Sequence, residues 1–257
     1  MNVLVTGGTG TVGRHVVMRL RHQGHRARIF TRNPRGHVDA VPGDLKTGAG
    51  VDRAVAGMDA IIHAASEARR SLRSRGDIAG TKNLLKAAQR ANIKHIVYVS
   101  IVGIDEVPSY PYYATKRAVE AIIKQGNVPW SILRATQFHD LMETLLGGFS
   151  RVPGVTAIPF AWQYQPVDAG EVAARLADTV LGEPHGMLAD FGGPEVRTFK
   201  SIAESWLSAR KERRRLIDLG MPFKFSSQFA EGKLLTADHK EGKITFDQYL
   251  AERYPLP

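Results

Sequence analysis

Tyr112 and Lys116 stand four residues apart in the stretch Pro111-Tyr112-Tyr113-Ala114-Thr115-Lys116. On a helix that spacing sets both side chains on one face, and a proline suits the first helical position, where its missing N–H costs nothing. A phenol, with its ordinary pKa of about 10, exchanges a proton at neutral pH only where nearby positive charge stabilises its anion. The pair therefore reads as a general acid with its cation. The plainer reading is a half-buried aromatic beside a surface lysine paired with Glu120. Tyr110 and Tyr113 adjoin, so the neighbourhood of the proton donor is clearer than its identity.

A second group of residues points to phosphate. Thr6-Gly7-Gly8-Thr9-Gly10-Thr11-Val12-Gly13 follows the apolar run Val3-Leu4-Val5 directly and opens an amphipathic stretch. Glycine at 7 permits a tight turn, glycine at 10 lets the backbone approach a pyrophosphate, and glycine at 13 lets the helix pack on the strand. Free N–H groups at the positive helix end then face the anion. Without that strand and helix the pattern would be a glycine-rich turn and nothing more.

The sugar next to the adenine is read about 20 residues further on, where NAD enzymes of this kind carry an Asp or Glu for the ribose hydroxyls. Here the chain has Phe30-Thr31-Arg32-Asn33-Pro34-Arg35, with no carboxylate. The planar fork of Arg32 suits a 2′-phosphate, so NADP(H) is the expected cofactor, with Arg35 and Arg14 as weaker contacts. The alternative for Arg32 is a surface arginine in a turn.

These groups need a scaffold that gathers strand ends. Short β-branched runs alternate with helical patterns: Val3 to Thr6, Val12 to Gln23, Arg26 to Thr31, Val51 to Ala56, Ala60 to Ala64. A helix over Thr81 to Ala91, a strand His95 to Ser100, a helix Tyr112 to Lys124 and a strand Trp130 to Arg134 continue the rhythm. It predicts an α/β fold, a Rossmann-type doubly wound parallel sheet. After Arg134 the punctuation by Gly147-Gly148, Pro153-Gly154, Pro159 and Pro166 predicts a small C-terminal substrate lobe. A helix Ala169 to Leu181, a strand Met187 to Phe191, a helix Thr198 to Leu216 and a helix near Thr245 to Arg253 follow. Residues 1–135 are thus the expected dinucleotide-binding region, and 136–257 the substrate-binding region, partly returning to the core around 163–191.

The N-terminal Thr-Gly-Gly-Thr-Gly-x-x-Gly resembles the extended and atypical short-chain dehydrogenase/reductases. The segments Gly43-Asp44-Leu45, Asp59-Ala60-Ile61-Ile62-His63-Ala64-Ala65, Gly80-Thr81-Lys82-Asn83-Leu84-Leu85 and Pro129-Trp130-Ser131-Ile132-Leu133-Arg134 look most like their NmrA-like, NAD(P)H-binding branch. The likeness covers roughly residues 1–140, and beyond them only Gln165-Pro166-Val167-Asp168 and Gly192-Gly193-Pro194-Glu195. It implies that Gly7, Thr9, Gly10, Thr11, Val12 and Gly13 bind the cofactor. It also implies that Asp44 and Leu45 lie along the adenine and that Ala64 and Ala65 line the groove after their strand. For each of these four, loop or strand-end packing is the plainer reading.

By the same resemblance Tyr112 gives or takes the proton, Lys116 also holds the nicotinamide ribose, and Thr136, Gln137 and Phe138 pass near the nicotinamide. His139 then projects toward the expected lobe. The third member of the usual triad is a serine that polarises the carbonyl, and Ser100 is the nearest. In many relatives that serine comes two positions later, where this chain has Val102, so Ser100 is either this group or a strand-end hydroxyl near the cofactor.

Composition bounds the rest. The 257 residues, 43% hydrophobic, suffice for one full core with an elaborated end, and with no cysteine there is no disulfide, thiolate catalysis or cysteine-bound metal. His15, His22 and His25 show no metal spacing, so no metal is expected. The net charge of +10, from 35 Lys+Arg against 25 Asp+Glu, comes without a nucleic-acid module and reads as a solvated basic surface plus attraction for a phosphate-bearing cofactor. The run Arg210 to Arg215 is expected as a solvated helix face, with Trp206, Leu207 and Leu216 leaving membrane-surface contact as the alternative. The expected partner is a small-molecule substrate, not nucleic acid. With no integral membrane segment or targeting segment in view, the expected location is the cytoplasm. Two functions compete: an NADPH-dependent oxidoreductase acting on a small carbonyl or quinone, and an NADP(H)-binding redox sensor without turnover.

Overall fold

The computed structural model describes residues 1–67 and 76–255. In chain order it holds β1 (Asn2–Thr6), α1 (Thr11–His22), β2 (Arg26–Thr31), β3 (Ala40–Pro42), α2 (Val51–Val55), β4 (Ala60–His63), α3 (Gly76–Arg90), β5 (His95–Ile101), α4 (Pro111–Lys124) and β6 (Trp130–Ala135). There follow α5 (His139–Phe149), β7 (Val155–Ile158), β8 (Gln163–Tyr164), α6 (Ala169–Leu181), β9 (Gly186–Met187), β10 (Arg197–Thr198), α7 (Phe199–Ala209), β11 (Arg215–Asp218), α8 (Lys224–Ala230) and α9 (Phe246–Arg253).

Contacts divide the chain into two compact units. The first joins Met1–Ser100, Pro111–Arg134 and Gly170–Ala189; the second joins Ile101–Tyr110, Ala135–Ala169 and Asp190–Pro257. The first is a Rossmann-like α/β layer structure whose sheet runs β3-β2-β1-β4-β5-β6-β9. The order reverses at β1, the kind of switch point beside which open parallel sheets bind ligands at the carboxyl ends of their strands.

The reason for this sheet lies in strands that are apolar on both faces. Val3, Leu4 and Val5 are fully buried, as parallel strands covered by helices on both sides must be. In register, Leu4 sits beside Ile61 and Ile61 beside Ile96. With Ile132 they form a spine packed in one core with Leu84 of α3 and Ile123 of α4. Burying each such side chain contributes about 1.5–3 kcal/mol. Helix α1 turns Val12, Val16, Val17 and Leu20 inward, at helical spacing, while Arg14, Met18 and Arg19 face solvent. The second unit contains two small sheets, β8 with β10 antiparallel and β7 with β11 parallel.

Three expectations need correction. The strand over Met187 to Phe191 is only Gly186–Met187, because at this sheet edge β9 pairs with two residues of β6 before the chain turns away; Phe191 returns as a single bridge to Ala135. The short β3 at the far edge carries too few residues for an alternating pattern to show. Helix Thr198 to Leu216 stops at Ala209, where Lys211 takes a left-handed φ of 54° and Arg215–Asp218 pairs with β7. Arg214 is not a solvated face residue. Its Nη1 donates to the carbonyls of Ser150, Val152 and Val155, and its Nε to Glu212. Among the described residues no helix is long and apolar enough to cross a membrane.

Candidate functional site

Register brings the glycine loop, Arg32 and Ala64 to one edge of the sheet, since Thr6 lies beside both Phe30 and His63. Gly7 takes φ +71°, and a Cβ there would stand 2.7 Å from the backbone of Ala64 and Ala65. A Cβ on Gly13 would lie 2.1 Å from the Gly7 carbonyl, so the start of α1 can sit this close only as glycine. Gly10 differs: its N–H donates to the Gly7 carbonyl at 2.8 Å, and a Cβ there would meet only that oxygen. Its outer face is therefore open. As N-cap it has no side chain to satisfy the helix N–H groups, which leaves a cradle for an anion between Thr9 and Gly13. A dinucleotide phosphate fits it.

Beneath the loop His63 clasps β1 to α3. Its Nδ1 is 2.7 Å from the Thr6 hydroxyl and its Nε2 3.1 Å from that of Thr81. Thr81 spends its own proton on the Asp77 carbonyl, so Nε2 carries the ring proton and Nδ1 accepts. Burial, helped by Lys116, pushes the ring's pKa down to about 3. It is a neutral structural group.

Along the expected adenosine side, Arg32 is more than half exposed and its Nη1 lies 3.6 Å from Glu67 Oε1. A carboxylate absent from the end of β2 is thus supplied from beyond β4, a feature that no local sequence pattern signals. Asp44 uses Oδ1 to accept the Lys46 N–H, and the Leu45 carbonyl accepts from Asn83. Ala64 and Ala65 are half-buried, while Arg14 and Arg35 are exposed.

Tyr112 and Lys116 both sit on α4, with Pro111 as its first residue. Lys116 is 4% exposed, which excludes the surface-lysine reading. Its Nζ donates to the Val99 carbonyl at 2.8 Å and lies 4.2 Å over the Tyr98 ring. Burial lowers its pKa to about 8, against the pull of Asp77 and Glu120. Glu120 engages elsewhere, through Arg134 at 2.8 and 2.9 Å and Lys124 at 3.3 Å. Burial pushes this carboxyl up, but the Arg134 hydrogen bonds, the Ser100 hydroxyl and the charges of Arg134 and Lys124 together bring it down.

The Tyr112 hydroxyl is 2.9 Å from Ser66 Oγ, which donates to Asp77 Oδ2. Tyr113 is buried, and Tyr110 belongs to an aromatic group with Phe225 and Phe229 in the second unit. Ser100 is 3% exposed; its hydroxyl lies near Glu120 but makes no hydrogen bond of good geometry. It is turned inward. The backbone of Val102, where many relatives carry serine, donates to the Ala135 carbonyl.

In the second unit Thr136 donates to the Gln165 carbonyl at 2.6 Å, Gln137 reaches the Leu234 carbonyl, and Phe138 bridges to Val167. The polar side chains of Thr136 and Gln137 are therefore used internally. His139 lies within the second unit. It is fully buried, with Nε2 3.1 Å from the Ile244 carbonyl and its ring against Phe246 and Tyr249. At the start of α5 the ring fills the space under α9, and burial lowers its pKa.

A family of proteins described as NAD(P)H-binding matches residues 7–148, more than half of the chain. The chain belongs to it. Its fold resembles that of a short-chain dehydrogenase/reductase superfamily protein from Agrobacterium tumefaciens, at 20% identity and a TM-score of 0.71 over 98% of this chain and 95% of that one. A (4-alkanoyl-5-oxo-2,5-dihydrofuran-3-yl)methyl phosphate reductase from Streptomyces griseus is 28% identical over 232 residues, 87% of this chain and 76% of that protein. The photosystem II assembly factor Ycf39 of Synechocystis is 33% identical over 159 residues, 58% of this chain and 48% of that protein. The chain spans about half the length of most curated relatives it matches. The NADPH-dependent quinone oxidoreductase QOR2 of Escherichia coli, solved with NADPH, superposes with a TM-score of 0.75 at 16% identity, covering 98% of this chain and 99% of that one, a likeness of fold alone.

The family is described as NAD(P)H-binding, and the backbone over Gly10 is open to an anion. What the arrangement offers chemically is a phenol at half-exposed Tyr112 on the helix that carries the buried cation of Lys116.

Proposed function

We propose that the chain is an NADPH-dependent oxidoreductase that reduces a small carbonyl or quinone. The observation that carries this reading is Lys116, a buried cation one helical turn after Tyr112 in the unit that holds the phosphate loop. Bound NADPH would supply the hydride. The backbone of Gly7, Thr9, Gly10, Thr11, Val12 and Gly13 would hold its pyrophosphate, Arg32 its 2′-phosphate, and Asp44, Leu45, Ala64 and Ala65 the adenosine side. The backbone of Thr136, Gln137 and Phe138 would pass by the nicotinamide. Lys116 orients the ribose and stabilises the phenolate, and Tyr112 gives a proton to the substrate oxygen.

Ser100, turned toward Glu120, is a poor carbonyl-polarising group, which favours quinones and other substrates that need little polarisation. The reductase named above supports the same chemistry. The inward Ser100 also favours a second reading, a redox sensor that binds NADP(H) without turnover. The test is NADPH oxidation by the purified protein against a panel of aldehydes, ketones and quinones, with Tyr112→Phe beside it. The expected result is turnover in the wild type and a loss of the order of 10²- to 10⁴-fold in the variant. Tight binding with no turnover on any substrate, together with unequal affinity for NADP and NADPH, would establish the sensor instead.

A further inference from the structure

We propose that Ser66 and Asp77 form a proton relay behind Tyr112, orienting the phenol and returning a proton to it after each turnover. The inference rests on the reading of Tyr112 as proton donor and extends it to two residues outside the Tyr-x-x-x-Lys motif.

Asp77 lies in the first turn of α3 and is half-buried. Its Oδ1 accepts the Glu67 N–H at 2.9 Å and its Oδ2 accepts the Ser66 hydroxyl at 2.9 Å. An ionised carboxylate only accepts, so the Ser66 proton is committed to Asp77 and the Ser66 lone pairs face Tyr112. The phenol therefore donates to Ser66 across 2.9 Å. The result is one unbroken line of oxygens: phenol, hydroxyl, carboxyl. Ser66 is exposed, so the line has access to water.

The charged and titratable groups around Asp77 come from each neighbouring element: Glu67 after β4, Tyr98 on β5, and Tyr112 and Lys116 on α4. Burial pushes the Asp77 carboxyl up and Glu67 adds to this, while Ser66, the Glu67 N–H and Lys116 pull it down; the net direction is up. A carboxyl with that bias holds a proton more readily than an exposed aspartate does.

The step balances without any oxidant. When Tyr112 passes its proton to the substrate oxygen, the phenol O–H breaks, the substrate O–H forms, and the phenolate keeps the electron pair. Asp77 takes a proton from water, and the carboxylic acid so formed passes it to Ser66 as Ser66 gives its own proton to the phenolate. Asp77 is then a carboxylate again and accepts from Ser66 as before.

The experiment compares wild type, Ser66→Ala, Ser66→Thr, Asp77→Asn, Ser66→Ala with Asp77→Asn, and Tyr112→Phe. NADPH oxidation with the best substrate of the panel is followed across pH, and NADPH affinity and Tm are measured for each protein. The relay predicts that Ser66→Ala and Asp77→Asn each lower kcat by roughly 10-fold or more, with KM, affinity and Tm unchanged. Ser66→Thr, which keeps the hydroxyl, retains kcat, and the double variant is no worse than Ser66→Ala. Wild-type kcat falls as pH rises, because each turnover requires Asp77 to take up a proton; Asp77→Asn lacks that dependence.

A readout without turnover keeps the test separate from the oxidoreductase reading. The tyrosinate absorbance of Tyr112 is taken as the part of the ultraviolet titration that Tyr112→Phe lacks. Its midpoint should move to lower pH in Asp77→Asn, since a negative charge is lost and the Ser66 proton is freed for the phenolate. An unmoved midpoint overturns the relay even if the protein is an enzyme. So does a Ser66→Ala variant with full kcat, or one whose loss merely follows lost NADPH affinity and Tm. A wild type that turns over nothing overturns the oxidoreductase reading, and the titration alone then decides whether Tyr112 and Asp77 share a proton line.

Discussion

Lys116 carries its charge in a place that disfavours charge. Burial brings its pKa to about 8 from an ordinary 10.5, so below pH 8 the folded protein holds a cation that the unfolded chain would solvate better. The sign follows directly. Between about 8 and 10.5 the unfolded chain binds the extra proton, so stability rises with pH across that window. On the proposed mechanism activity runs the other way, because loss of the proton removes the charge that would stabilise the Tyr112 phenolate. We expect kcat to fall above pH 8 while urea stability rises, and a Lys116→Met variant to lose both trends. Lys116→Ala should lower turnover and NADPH affinity together, measured by steady-state kinetics and fluorescence titration.

At Arg32 the expectation concerns choice of cofactor. Arg32→Ala should remove most of the preference for NADPH over NADH, since a charged hydrogen bond is worth about 1.5–3 kcal/mol. Glu67, 3.6 Å away, would compete with the proposed 2′-phosphate for the same guanidinium. Glu67→Gln should therefore raise NADPH affinity while leaving NADH binding equal or weaker. Equal NADH and NADPH affinities in the wild type would remove the basis for both.

At the scale of elements, the His63 clasp joins β1, β4 and α3 through one neutral ring. Its folded pKa of about 3 lies below the ordinary 6.5, so the unfolded chain gains a proton first as pH falls. Stability should decline by up to about 1.4 kcal/mol per pH unit between pH 6.5 and 3 from this group alone. A His63→Gln variant should show a shallower slope in urea melts taken across that range.

Elements with strong periodicity were legible in the sequence: α1 from its inward valines, α6 over Ala169–Leu181, and α4 behind its proline. The end of α7 was not, because arginine and lysine are good helix formers and nothing local announces the long-range carbonyls that capture Arg214. Arg214→Ala should consequently cost on the order of 1–3 kcal/mol in a denaturant melt, whereas Arg213→Ala, exposed, should cost little. Of the candidate site, the glycine loop and the Tyr-Lys pair follow from local spacing. Ser66, Asp77 and Glu67 do not, since their meaning depends on contacts between elements, and the inward turn of Ser100 depends on Glu120.

At the scale of the whole molecule, NADPH that binds only the folded chain stabilises it by about 2.7 kcal/mol at a hundredfold excess over Kd. A thermal melt should therefore move upward with NADPH concentration, and further than with NADH at the same concentration. No shift at saturating NADPH would mean that the loop is not a working site.

The first unit is sewn from three stretches of chain, the last of which ends at Ala189, with the first parts of the second unit threaded between them. A chain emerging from the ribosome has made its glycine loop and most of its sheet long before the segment carrying α6 and β9 appears. Until then β6 presents a bare edge, and Val172 and Leu176, buried in the finished fold, are not yet in place. Neither unit can finish before the other has begun. Folding is thus tied to late, distant contacts that slow it, and the nascent chain is most exposed to chaperones and to aggregation after its cofactor loop has formed but before its sheet has closed.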